Sequence, residues 1–460
     1  MTVAESIVEE FYGTADLTVR RADCKGEVYT FIYMQGMIDT EHLERAFIIP
    51  LTEAGAIMSG VQPREVTREE AISAVSSGEC LMLKEVSEKY TVLPIRMCPG
   101  RGVAEPPTST VVKGPREGFT EDIKTNIVLL RRRLRSNKLV VATEKVGRFS
   151  ETEVAVVYLK GVADETLVRR ITEKIRAIDI DGIVDSSYIA KLLEARAYSL
   201  FKQTGSSEKP DIVSAKLLEG RVAIVVDGSP IALTLPFLFW EDFQDSQDYF
   251  KRNVRASFLR IIRLCAVFFA MLLPAVFVAV QTHQFQMLPL KLLLAVLSNV
   301  QGIPFTPVVE MFIALALFEI LAEAAVRMPR YVGMATSIVG AIVLGSTAVE
   351  AGVLSSITVL ITAMSGIGLY AIPDEVGTFS MLRLLFVVVA GLTGIYGIVL
   401  LSMGLLAYLV TLEVYGAPYL APFAPIIKAD LKDAFFKADL AEMTERPRSL
   451  NNQNKRRFKR

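Results

Sequence analysis

Histidine is nearly absent from this sequence: His42 and His283 are the only two in 460 residues. General-base chemistry would therefore fall to carboxylates, and no nucleophile–base pair stands out. Cysteine is scarce as well. Cys24, Cys80, Cys98 and Cys265 are scattered, with no C-x-x-C pair, so neither a disulfide framework nor a zinc site is signalled and reduced, packed thiols are expected. There is no Gly-rich phosphate loop; Asp181-Gly182 and Asp227-Gly228-Ser229-Pro230 have turn chemistry. An apolar leader is missing too, because the first ten residues are acidic and short of hydrophobic length, which predicts that the N-terminal half is not exported. The absences together point away from an enzyme and away from any cofactor or metal. With 50 basic and 50 acidic side chains, no nucleic-acid partner is indicated either.

The most telling shortage is local. Between Leu264 and Leu382, Lys291, Arg327 and Arg330 are the only Lys or Arg in 119 residues, although both are common on either side. Roughly 20 apolar residues in helical form cover a bilayer core, where backbone polar groups must pair internally. Candidate spans are 258–280, 306–325, 331–349, 353–372 and 384–412, with a shorter apolar piece at 288–300 that Pro304 and Pro307 interrupt. A re-entrant or interfacial course suits that piece. The flanks are basic: Lys251-Arg252-Asn253-Val254-Arg255, Arg260 and Arg263 precede the first run. From Lys428 onward, ten Lys or Arg stand against five Asp or Glu. Both ends are thus expected in the cytoplasm. Five full crossings would leave them on opposite sides, so either one segment fails to cross or 288–300 completes a sixth pass.

The N-terminal half reads as a duplication. Tyr33-Met-Gln-Gly36-Met-Ile-Asp39 recurs 125 residues later as Tyr158-Leu-Lys-Gly161-Val-Ala-Asp164. Each copy follows a strand-like run and puts the Asp where it caps a helix. A second echo pairs Ser77-Gly78 with Glu219-Gly220, each a helix stop before a buried-strand run. Pro106, Pro107, Gly114 and Pro115 mark the boundary. The expected architecture is two related α/β subdomains (1–112 and 113–248), an all-α polytopic membrane domain (249–415) and a basic cytoplasmic tail (416–460). The basic run Arg131–Arg135 is a solvated helix face, or alternatively a site for an anionic partner.

Within the membrane half, Glu310, Glu319 and Glu323 share one candidate span. Intramembrane carboxylates are costly and tend to mark ion paths. At 100° per residue, Glu319 and Glu323 lie on one face and Glu310 nearly opposite. The alternative for Glu323 is pairing with Arg327 at i+4, and pairing is equally open to Glu319. Glu310 stands at the membrane edge or locks a broken helix. Gly333, Ser337, Ala341 and Gly345 form a small-residue stripe suited to close helix packing. His283, just past the first run, reads as an interfacial polar residue, with pH sensing as the alternative.

A set of motifs, taken in order, resembles the A subunits of GerA-type nutrient germinant receptors of bacterial spores. They are Gly114-Pro-Arg-Glu-Gly-Phe-Thr-Glu121, the arginine run at 129–134, Asp179-Ile-Asp-Gly-Ile-Val-Asp185-Ser and Leu218-Glu-Gly-Arg221 through Pro230. Phe243-Gln-Asp-Ser-Gln-Asp-Tyr-Phe250, Gly302-Ile-Pro-Phe305, Phe318-Glu-Ile-Leu-Ala-Glu323, Arg327-Met-Pro329 and Ile338-Val-Gly-Ala-Ile-Val-Leu-Gly345 follow. Tyr415-Gly-Ala-Pro-Tyr-Leu-Ala-Pro422, Asp430-Leu-Lys-Asp433 and Arg446-Pro447 close the series. The family's usual Arg after Phe-Glu-Ile-Leu is Ala322 here. The resemblance implies a multi-pass protein of the spore inner membrane that forms a ring and releases ions on nutrient sensing. It also implies two partners, a transporter-like B subunit and a lipoprotein C subunit. The related SpoVAF branch shares most of the motifs and implies the alternative, a non-conducting membrane scaffold.

Overall fold

The computed structural model describes residues 2–24, 27–53, 63–84, 89–97, 113–329, 333, 338–340 and 342–458. Cys98, Pro106, Pro107, Ser337, Ala341 and much of the expected 331–349 span lie outside these residues. The chain forms two compact units. The first comprises Met1–Leu238 with Glu413–Lys432 and Ala438–Arg460, the second Phe239–Leu412 with Asp433–Lys437.

The first unit holds two five-stranded antiparallel sheets. One is built from β1 (Leu17–Cys24), β2 (Glu27–Met34), β3 (Arg64–Val66), β4 (Cys80–Lys84) and β5 (Tyr90–Leu93). The other uses β6 (Leu139–Val146), β7 (Thr152–Leu159), β8 (Gly205–Ser207), β9 (Val222–Val226) and β10 (Ala232–Leu235). Their strand orders are the same, β1-β2-β4-β5-β3 and β6-β7-β9-β10-β8. The repeated Tyr-Gly-Asp spacing has a physical cause. Gly36 and Gly161 end β2 and β7 at φ of 75° and 76°, a region that suits glycine and strains residues with a Cβ. Three residues on, Asp39 accepts the His42 N–H and Asp164 the Thr166 N–H, each at 2.9 Å, capping the helix that follows.

Among the described residues, six helices of seven or more residues complete this unit: α1 (Val3–Glu9), α2 (Arg68–Ser76), α3 (Ile123–Arg133), α4 (Glu165–Arg176), α5 (Ser186–Leu193) and α6 (Pro210–Leu218). Helix α3 serves both sheets. Its Ile123, Ile127 and Leu130 join the core of the second, while Val128 enters the core of the first.

The C-terminal segment is folded into the same unit and is not a free tail. Tyr415 and Tyr419 donate to the carbonyls of Leu193 and Lys202, both at 2.8 Å. Asn452 Nδ2 donates to Glu219 O at 2.6 Å. Gly220, at φ 95°, lets the chain pass so close that a Cβ there would overlap the Asn452 side chain. Gly220→Ala is expected to cost about 1–3 kcal/mol from backbone strain alone. Limited proteolysis should then cut the C-terminal segment faster than in the parent protein.

The second unit is helical: α7 (Asn253–Thr282), α8 (Leu290–Val300), α9 (Pro307–Arg327), α10 (Ser356–Leu369), α11 (Val376–Thr393) and α12 (Ile395–Val410). Among the described residues, two helices, Asn253–Thr282 and Pro373–Thr393, are long and apolar enough to cross a membrane. The expected single span 384–412 is corrected. The helix begins earlier, and Gly394 at φ 66° and ψ −150° breaks it into α11 and α12. A run of apolar residues continues across the break, which is why hydropathy alone does not reveal it. Close helix approach depends on glycines. A Cβ on Gly368 would stand 2.8 Å from Ala266 O, and Gly366 and Gly391 are pressed against Phe318 and Val308. Small residues let apolar helices meet at backbone distance.

Candidate functional site

Helix α9 carries the three singled-out carboxylates, and the structure gives each a different surrounding. Glu323 is exposed and pairs with Arg327 one turn on, with Nε to Oε1 at 2.8 Å. Glu319 Oε1 accepts from both Ser380 Oγ and the Arg383 guanidinium. Arg383 is wholly buried. Its Nη1 donates to Ser365 Oγ at 2.7 Å, and Ser365 Oγ donates in turn to Ala270 O at 2.6 Å. The guanidinium carbon lies 5.9 Å from the Phe318 ring centroid, within cation–π range. One polar network thus ties together α7, α9, α10 and α11 inside an apolar unit. Glu310, in the first turn of α9, is fully buried. Its Oε1 accepts the Ser355 N–H at 2.6 Å where α10 begins.

Sequence reasoning missed Arg383, Ser365 and Ser380. The signal was present, a lone arginine among apolar neighbours, but the expected span began one residue after it.

A second ionic cluster lies at the start of α7. Arg260 is buried and contacts Asp248 Oδ2 at 3.3 Å and Asp433 Oδ1 at 2.9 Å. It also donates to Ala434 O at 2.8 Å. Arg263 pairs with Asp248 Oδ1 at 2.8 Å. Tyr249 donates to Asp433 Oδ2 at 2.6 Å, and Trp240 packs edge-on against Phe435 at 5.0 Å. Two motifs 185 residues apart, around Asp248 and Asp433, therefore meet. Arg260 and Arg263 are thus both paired with aspartates.

In the first unit the basic run is split. Arg131 is buried and forms a bidentate pair with Asp16, Nε to Oδ2 at 2.7 Å and Nη2 to Oδ1 at 2.6 Å. Neither a solvated face nor an anion site describes it. Arg133 pairs with Glu117 at 2.8 Å. Asp185 caps α5 and accepts from Ser229 Oγ at 2.6 Å, so the two Asp-Gly motifs are coupled in place. Burial alone would raise the Asp185 pKa, but the bonds from Ser229 and the Ser187 N–H hold it below the usual carboxylate value. Cys24 and Cys80 are packed in the first lobe and Cys265 is exposed. Among the described residues no group of three His, Cys, Asp or Glu is placed to hold a metal. His283 ends α7, its Nδ1 2.7 Å from Thr282 Oγ1.

The model of the family described as Bacillus/Clostridium GerA spore germination protein matches residues 5–449. Spore germination protein KA of Bacillus subtilis (strain 168) is 34% identical over 440 residues, covering 92% of this chain and 81% of that protein. The membrane protein YfkQ of the same organism is 34% identical over 458 residues, covering 96% and 89%. Spore germination protein GerLA of Bacillus cereus is 29% identical over 466 residues, covering 97% and 95%. The solved N-terminal domain of the A subunit of the Bacillus megaterium germinant receptor GerK3 aligns with a TM-score of 0.40 at 24% identity, covering 51% of this chain and 94% of that one.

Proposed function

The chain belongs to the GerA family of spore germination proteins, and from that membership we propose that it acts in the membrane as the ion-releasing A subunit of a nutrient germinant receptor. It would work as a ring of several copies in the spore inner membrane, beside a transporter-like B subunit and a lipoprotein C subunit. Residues 1–112 and 113–248 would be its paired cytoplasmic lobes, and 249–415 its polytopic membrane part.

One observation carries this proposal. The face of α9 bearing Glu323 and Arg327 is open, with side-chain exposures of 64% and 78%, and Glu319 on the same side is 31% exposed beside its pairing with Arg383. Ionised groups at such a face are costly against hydrocarbon. A second copy or a water-filled path would cover it, and a ring that turns this face inward provides both. Glu319 and Glu323 then line the path, with Glu310 behind them. Glu413–Lys432 and Ala438–Arg460 fold with Met1–Leu238 in one compact unit, which supports an even number of crossings. The basic residues before α7 favour the cytoplasmic side for that unit.

A second reading has its own support. Glu319 is already satisfied by Arg383 and Ser380, as a purely structural network in a non-conducting scaffold would be. Ion flux from liposomes holding the purified full-length protein separates the two. In the conducting case Glu323→Gln, which leaves the Arg383 network whole, should lower cation-over-anion selectivity several-fold. A well-folded oligomer with unchanged selectivity would remove Glu323 from the path, and a stable ring without flux would favour the scaffold.

A further inference from the structure

From Thr444 onward the sequence holds seven Lys or Arg against one acidic residue, Glu445, and these residues fold back on themselves. The Arg446 N–H donates to Lys455 O and the Arg457 N–H to Thr444 O, both at 2.8 Å, around a bridge between Glu445 and Arg456. The Arg446 side chain stitches the turn, with Nε donating to Leu218 O at 2.7 Å and Nη1 to Asn454 O at 3.2 Å. Its charge is spent on carbonyls and meets no carboxylate among the described residues. Glu445 is taken by Arg448, Nη2 to Oε2 at 2.9 Å. Lys455, Arg456 and Arg457 are left without an ion pair among the described residues. Lys455 and Arg456 are exposed, and so is Phe458 beside them. Burial and the neighbouring Arg457 charge hold the Arg446 guanidinium below the usual arginine value. The hairpin therefore pins together cations that repel one another, and an anionic surface relieves that repulsion.

The course of the chain points to the occupant. Lys437 immediately precedes the segment Ala438–Arg460. It donates from Nζ to Asn253 Oδ1 at 3.1 Å and from its N–H to Ser257 Oγ at 2.9 Å, in the first turns of α7. Lys251, Arg252 and Arg255 flank the same helix end. Among the described residues from Ala438 to Phe458 no helix exceeds three residues, so the basic hairpin stays on the side of the bilayer where α7 begins. Anionic lipid on the cytoplasmic leaflet attracts clustered Lys and Arg, and the attraction fades beyond a Debye length. An aromatic side chain among such cations adds the apolar contact that an interfacial layer accepts.

We propose that this hairpin is a lipid-binding surface, on which Lys455, Arg456 and Arg457 engage the anionic headgroups of the bilayer and Phe458 dips among them. The proposal rests on the membrane placement given above. Full-length protein is placed in nanodiscs of phosphatidylcholine alone, or of phosphatidylcholine and phosphatidylglycerol in equal parts, and hydrogen exchange is followed through residues 444–458. Exchange several-fold slower in the anionic discs is expected, with the difference lost when salt is raised. Lys455→Gln with Arg456→Gln should lose part of the slowing, and Arg457→Gln added to them should lose the rest. The Arg446 and Arg457 amides in neutral discs report whether each variant keeps the hairpin, and the double variant serves if the triple one does not. Equal exchange in both discs overturns the proposal, as does a slowing that raised salt or the variants leave in place. Soluble glycerol phosphate added to neutral discs should not reproduce the slowing; if it does, the hairpin takes free phosphate and the lipid surface is ruled out. Protein that enters neither kind of disc refutes the membrane placement, whereas protein that enters both and exchanges alike refutes the lipid contact alone.

Discussion

Replacing Arg383 with Met is expected to destabilise the helical unit by about 2–3 kcal/mol, less than the full cost of stripping one partner from a buried ion pair because the stranded Glu319 is 31% exposed. The methionine fills much of the space, so packing is a minor part of the loss. What remains is a Glu319 carboxylate facing Ser380 alone, with the Ser365 hydroxyl deprived of its donor. Four helices lose their common tie at once. The measurement is the thermal midpoint and the monodisperse fraction of the full-length protein in detergent. Two controls make the cause readable. Arg383→Lys keeps the charge but cannot reach Glu319 and Ser365 together as a planar fork does, so it should fall between the parent and the Met variant. The double variant Arg383→Met with Glu319→Gln removes both charges and should regain most of the stability, since the penalty belongs to the uncompensated ion. A single variant that unfolds like the parent would show that the network contributes nothing to the fold.

This pair also shows where sequence reasoning stops. Local rules were legible: the glycine that ends a strand, the aspartate three residues on and the apolar run that follows each act within one turn of chain. That is why the duplication could be read at a spacing of 125 residues and why it reappears as two sheets of one strand order. Burial of a charge was not legible, because its cause lies far away. Glu319 and Arg383 are 64 residues apart, and Arg260 and Asp433 are 173 apart. Hydropathy separates apolar from polar stretches but does not say which arginine has a partner inside. The break at Gly394 was hidden for a related reason: a positive φ changes direction without changing polarity. Among the three carboxylates, the expected helical faces left pairing and pore lining open for Glu319 and Glu323. The structure shows that their differences come from what α10 and α11 bring to α9.

The lock between the two lobes is the other place where one substitution should have a large effect. Asp16→Ala is expected to cost about 3–5 kcal/mol, because it strands a guanidinium that is almost completely buried. The aspartate does more than pair with Arg131. It accepts from Thr14 Oγ1 at 2.6 Å, and that hydroxyl also accepts from Arg131 Nη2 at 3.0 Å and from the Val141 N–H at 3.0 Å. The Ala15 N–H meets Val141 O at 2.8 Å, so the segment leading into β1 is laid against β6 by a network in which the polar groups depend on one another. Removing the carboxylate should therefore release a segment and not one bond. Hydrogen exchange on the full-length protein should quicken at residues 14–16 and at Val141, while the β4 and β9 amides, deep in their own lobes, keep their protection. Thr14→Val tests the same network from its other side and should give a smaller effect of the same pattern, since Arg131 keeps its bidentate partner. Exchange that quickens evenly through one lobe would mean that Asp16 supports that lobe's own core. Exchange confined to the seam would mean that the lobes are held as a pair by this charge.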